Sequence, residues 1–68
     1  MALSYNSPLW VLRRRKGFTR NELAEKSGVS FETIKAIETG KVAIENTQVK
    51  TLLKLAKALD CDIKKLLS

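Results

Sequence analysis

The chain has 68 residues, 13 of them Lys or Arg against 7 Asp or Glu, with no histidine and one cysteine. That length leaves room for one domain over 1–68, whose core must be tight because so small a chain buries only roughly 60% of its unfolded surface. The net charge of +6 favours polyanions, nucleic acid before an anionic membrane surface, and the lone Cys61 excludes an internal disulfide.

Residues 1–6 are expected to form a flexible tail. Ser7 followed by Pro8 reads as an N-cap with proline at the first helical position, where a missing N–H costs nothing. Leu9 and Leu12 face inward, Arg13 to Lys16 complement the helix dipole, and Gly17 closes a helix over 8–16. Thr19 and Glu22 form a capping box, with Phe18 and Leu23 at the positions of a hydrophobic staple, and Gly28 ends a helix over 20–27. Ser30 caps a third helix with Thr33 at N3, Ile34 and Ile37 pointing inward and Gly40 as its stop. Residues 41–47 read as a loop. Thr47 caps a fourth helix in which Val49, Leu52, Leu55, Ala56 and Leu59 recur at spacings of three and four. Asp60, Cys61 and Asp62 interrupt that pattern, and Asp62 caps a last short helix with Ile63, Leu66 and Leu67 inside. No strand-like alternation occurs, so the expected fold is all-α.

The second and third helices carry the chemistry. A helix-turn-helix needs a small residue early in the pair, a turn that admits a positive φ, and inward apolar residues on both helices. Ala24, Gly28, Val29, Ile34 and Ile37 meet those demands. The third helix keeps Phe31, Glu32, Lys35 and Ala36 on its outward face, and an aromatic there is hard to explain as solvated surface. In such a pair the second helix enters the major groove of DNA, and the N-terminal amides of the first aim at phosphate.

The segment LRRRKGFTRNELAEKSGVSFETIKAIETGK, followed by TLLKLAKALDCDIKKLL, resembles the phage repressor and Cro family, the XRE-type helix-turn-helix domains. The resemblance covers about residues 9–67. It rests on the Leu-Arg before a basic turn and glycine, the ELA triplet, Gly-Val-Ser at the turn, Ile-Glu-x-Gly-Lys closing the third helix, and LLKLAKAL. It implies a compact five-helix bundle, lambda-repressor-like, that binds double-stranded operator DNA, commonly as a homodimer on an inverted repeat. The implied function is transcriptional regulation, a repressor above all, with the helix over about 31–39 as recognition helix.

The same resemblance suggests which residues meet DNA. Thr19 and Arg20 stand where the family has a serine or threonine and a glutamine that braces phosphate; Arg20 in place of glutamine implies a stronger phosphate contact or a bidentate grip on guanine. Ser30, Phe31, Glu32, Thr33 and Lys35 occupy recognition positions. Phe31 suits a thymine methyl, Glu32 a cytosine amino group, Lys35 a guanine or phosphate, and Ser30 and Thr33 the DNA backbone. Ala36 contributes close approach. Lys41 matches a phosphate-binding lysine; Thr39 departs from the family's asparagine or arginine. The loop VAIENTQ is longer than usual and carries Glu45, which puts its phosphate contacts in doubt, although Asn46 and Thr47 can donate. Arg13 and Glu38 match a structural salt bridge.

Other features have plain readings. Lys50, Lys54 and Lys57 form a solvated stripe, Cys61 a small buried hydrophobe, and Asp60 and Asp62 a turn and cap. Trp10 and Val11 cover the edge of the bundle or join a partner surface. With no histidine and no paired carboxylates in a recognisable cleft, no enzyme activity, metal, cofactor or small-molecule ligand is expected. The apolar runs are too short to span a bilayer, and a cytoplasmic protein is expected. The alternative reading is a protein-interaction module of the same fold within a larger regulatory assembly.

Overall fold

The computed structural model describes residues 7–67; the expected tail at 1–6 lies outside them. Five helices follow one another, α1 (Pro8–Lys16), α2 (Arg20–Ser27), α3 (Phe31–Glu38), α4 (Val49–Ala58) and α5 (Ile63–Leu67), and the described residues contain no strand.

The helix starts follow from local chemistry. Ser7 Oγ accepts from the Trp10 amide at 3.1 Å. At α2, Thr19 Oγ1 accepts from the Glu22 amide at 3.0 Å while Glu22 Oε1 accepts from the Thr19 amide at 2.8 Å, a complete capping box. Ser30 Oγ takes the Thr33 amide at 3.2 Å. At the end of α1, Gly17 (φ 75°) donates to the Arg14 carbonyl and Phe18 to that of Arg13, the paired bonds of a Schellman motif. That turn sends Phe18 back onto the core.

α1 packs on α3 and α5, α2 on α3 and α4, and α4 on α5. Leu9, Leu23, Ile34, Leu55 and Leu66, one from each helix, and Leu59 just past the end of α4 are wholly or almost wholly buried where these helices meet. Leu12, Phe18, Ala24 and Cys61 pack against that cluster as their spacing suggested.

Four expectations about the C-terminal half need correction. Residues 41–47 contain a 3-10 turn, Ile44–Asn46, whose Ile44 packs on the core and which touches α5. Thr47 does not cap α4: its hydroxyl donates to the Ala43 carbonyl at 3.3 Å, and Gln48 becomes the N-cap with no side-chain bond. Val49 is 63% exposed. The buried Leu52, Leu55, Ala56 and Leu59 span an arc of roughly 100°, and Val49 falls past its edge in the first turn. Leu67 is 51% exposed because Ile63 and Leu66 already supply the inward side of a five-residue helix. Asp62 does cap α5, its Oδ1 accepting from the Lys64 amide at 3.0 Å.

Candidate nucleic-acid interface

The α2–turn–α3 unit is pinned from inside by Leu23, Val29, Ile34 and Ile37, all buried. Gly28 (φ 77°) ends α2, and the Ser27 hydroxyl then accepts from the Val29 amide at 3.1 Å, turning the chain toward Ser30. With Ile34, Ile37 and Glu38 facing inward, helical geometry leaves the other side of α3 outward. Glu32 and Lys35 are exposed there; Phe31, Thr33 and Ala36 are half-buried, and Phe31 takes no part in the core cluster.

The loop after α3 adds a second wall. A groove of about 510 Å³ runs between Glu32, Thr33, Lys35, Ala36 and Thr39 on one side and Lys41, Val42, Thr47, Gln48 and Thr51 on the other. Seven of the residues singled out from sequence therefore meet in one depression: Glu32, Thr33, Lys35, Ala36, Thr39, Lys41 and Thr47, although the Thr47 proton goes to the Ala43 carbonyl and not to a phosphate. Thr19, Arg20, Ser30, Phe31 and Asn46 do not line it. Gln48 and Thr51 were not foreseen as part of this surface; their signal was two polar side chains in the outward arc at the start of α4.

Hydroxyl chemistry separates the threonines. A phosphate oxygen only accepts, so a threonine must have a proton to give. Thr19 Oγ1 serves its cap as an acceptor, which leaves its own proton available. Thr39 Oγ1 donates to the Lys35 carbonyl at 2.8 Å, so its proton is already committed within α3. Ser30 and Thr33 share one hydrogen bond at 2.8 Å between their hydroxyls, and at least one proton of that pair is engaged.

Behind this face, Arg13 and Glu38 form the ion pair that the family resemblance implied. Arg13 Nε lies 2.6 Å from Glu38 Oε2 and Nη2 lies 3.0 Å from Oε1, while Nη1 donates to the Phe18 carbonyl at 2.8 Å. Glu38 has no exposed surface, so the fork replaces the water its carboxylate gave up. A third member was not anticipated. Arg20 Nε donates to Glu38 Oε1 at 2.9 Å, tying the start of α2 to the end of α3. No spacing rule reveals a contact across 18 residues between separate helices. The arginine read as free for DNA is also an internal partner of the buried carboxylate.

A helix-turn-helix family model matches residues 12–66. The chain belongs to this family, the Cro/C1-type, XRE-like helix-turn-helix domains. Comparisons with curated proteins and with solved structures gave no match. Helix-turn-helix domains of this type are DNA-binding transcription regulators, and DNA is the partner that membership assigns to this chain. Among the described residues, no helix is long and apolar enough to cross a membrane.

Proposed function

We propose that this helix-turn-helix protein is a sequence-specific repressor that lays α3 in the major groove of an operator. The observation that carries the reading is the sidedness of α3: Ile34, Ile37 and Glu38 are buried, and Glu32 and Lys35 stand in solvent on the opposite side. Phe31, Glu32 and Lys35 meet base edges in this reading, Phe31 through a thymine methyl and Glu32 through a cytosine amino group. Ala36 allows close approach, and Ser30 and Thr33 follow the backbone. Lys41, Asn46, Thr19 and Arg20 hold phosphates, and they fix register without reading sequence. Thr39 shapes the groove wall, since its hydroxyl proton is used within the helix.

Repression needs nothing beyond occupancy of the operator, which is why it is preferred to activation. Two copies on an inverted repeat are the arrangement that helix-turn-helix geometry favours, with half-sites about one DNA turn apart. Exposed Leu53 and Leu67 supply apolar surface for pairing.

Selection of bound sequences from a random duplex pool tests this directly. The expected product is a pseudo-palindromic site whose binding weakens steeply with salt. Failure to enrich any sequence over bulk DNA removes the claim of sequence-specific recognition and turns attention to a protein partner for α3.

A further inference from the structure

The Arg13–Glu38–Arg20 cluster holds one negative charge against two guanidinium groups, and arginine stays protonated throughout the working pH range. Arg13 alone offers Glu38 a two-point fork, one nitrogen to each oxygen. Arg20 then adds a third bond to Oε1 through Nε, which leaves one positive charge in excess. Its Nη1 and Nη2 have no hydrogen-bond partner among the described residues, and its side chain keeps 24% of its surface exposed. An arginine on a free tether loses rotamer freedom when it grips an anion, whereas one pinned by a buried carboxylate has lost that freedom on folding.

We infer that Glu38 is a positioning residue for DNA binding: it holds Arg20 by its Nε edge and presents the Nη edge to one backbone phosphate. The inference rests on the DNA-binding reading of α2 and α3, and it gives Glu38 a task beyond its fork with Arg13.

The test is fluorescence anisotropy with a labelled duplex of about two helical turns, of arbitrary sequence, because a phosphate contact is sequence-independent. Affinity is measured across a salt series for the unsubstituted protein, R20A, R20K, E38Q, the R20A/E38Q double variant and K41A, each confirmed folded by circular dichroism. R20A is expected to weaken binding by about tenfold and to lower the salt slope by ~0.9, as removal of one phosphate contact requires. R20K is expected to keep the slope and still lose affinity several-fold, because an ammonium has no second edge to present. E38Q is expected to weaken binding more in the presence of Arg20 than in the R20A background, where only its bonds to Arg13 are disturbed, and the excess measures the coupling between Glu38 and Arg20. If E38Q does not fold, the comparison of R20K with the unsubstituted protein decides the matter, and equal affinities would falsify the positioning role. A salt slope unchanged by R20A but lowered by K41A overturns the inference while leaving DNA binding standing. Absence of binding by the unsubstituted protein overturns the DNA reading, and the inference with it.

Discussion

Arg13 and Glu38, 25 residues apart in sequence, close a two-point fork with Nε at 2.6 Å and Nη2 at 3.0 Å from the carboxylate oxygens. The pair joins α1 to the end of α3 and so sets the angle at which α3 leaves the bundle. Arg13→Ala leaves a fully buried carboxylate with Arg20 as its one remaining partner. The expected cost is ~3–5 kcal/mol, a large share of what a domain of this size has to lose. Urea unfolding followed by circular dichroism measures it. Replacing both members with apolar residues, R13M/E38L, is expected to recover most of the loss, because no buried charge is then stranded. If Arg13→Ala shifts the midpoint by less than ~1 kcal/mol equivalent, Arg20 alone is enough to compensate the buried carboxylate.

Much of this architecture was legible because it is local. Thr19 and Glu22 are three residues apart, and their capping box needs no knowledge of the rest of the fold. Ser7, Ser30 and Asp62 were legible for the same reason. What failed involved competition or distance. Thr47 is the cap that local chemistry favours, but the 3-10 turn before it takes the Thr47 hydroxyl, and the helix begins one residue later, after Gln48 and with no side-chain cap. Val49 continues the apolar spacing of α4, yet spacing alone does not say where a packed neighbour ends. Of the candidate site, the sidedness of α3 could be read from Ile34 and Ile37. The bond from Arg20 to Glu38 could not, because it depends on how α2 crosses α3. Nor could the groove wall to which Gln48 and Thr51 contribute, because it depends on how the loop after α3 packs beside the helix.

Asp60 is the described non-glycine residue with a positive φ, at 54°. It occupies the left-handed position of a Schellman motif at the end of α4, where its amide donates to the Lys57 carbonyl and that of Cys61 to Ala56. A side chain there meets steric strain that glycine avoids, and the carboxylate sits at the negative end of the helix dipole. Asp60→Gly is expected to stabilise the fold by about 0.5–1 kcal/mol after the added entropy of the unfolded chain is counted. For a domain of this size that raises the melting temperature by several degrees. A thermal melt that moves down instead shows that the Asp60 side chain contributes a contact worth more than the strain.

Burial pushes the Cys61 thiol above its ordinary value, and Asp62 and Asp60 push it the same way against the opposing pull of Lys16 and Lys65. The native state therefore keeps the thiol proton over a pH window in which the unfolded chain has already lost it. The sign follows: stability is full below the unfolded value and falls as pH rises through the folded one. Two measurements check this. The rate of reaction with a disulfide reagent should rise at higher pH for the folded protein than for the chain in urea. Cys61→Ala should flatten the loss of stability on the alkaline side. Coincident pH–rate profiles for folded and unfolded protein would show that folding leaves the thiol unperturbed.

Phe31 and Lys41 provide opposite signatures of DNA recognition. Phe31 lies at the first turn of α3, half-buried and outside the core, so truncating it should leave the fold intact. If it packs on a thymine methyl, Phe31→Ala removes a contact made with one base and not others. Affinity for the selected site should fall by a factor corresponding to about 1–3 kcal/mol, with little change on bulk DNA. Lys41 is exposed at the rim of the groove, where a phosphate contact ignores sequence. Lys41→Ala should therefore weaken the selected site and bulk DNA alike and reduce the salt slope by about 1. Parallel titrations of both variants against both duplexes separate the two kinds of contact. Should Phe31→Ala weaken bulk and selected DNA equally, Phe31 does not read a base; its aromatic ring is then better explained as part of a protein-binding face of α3.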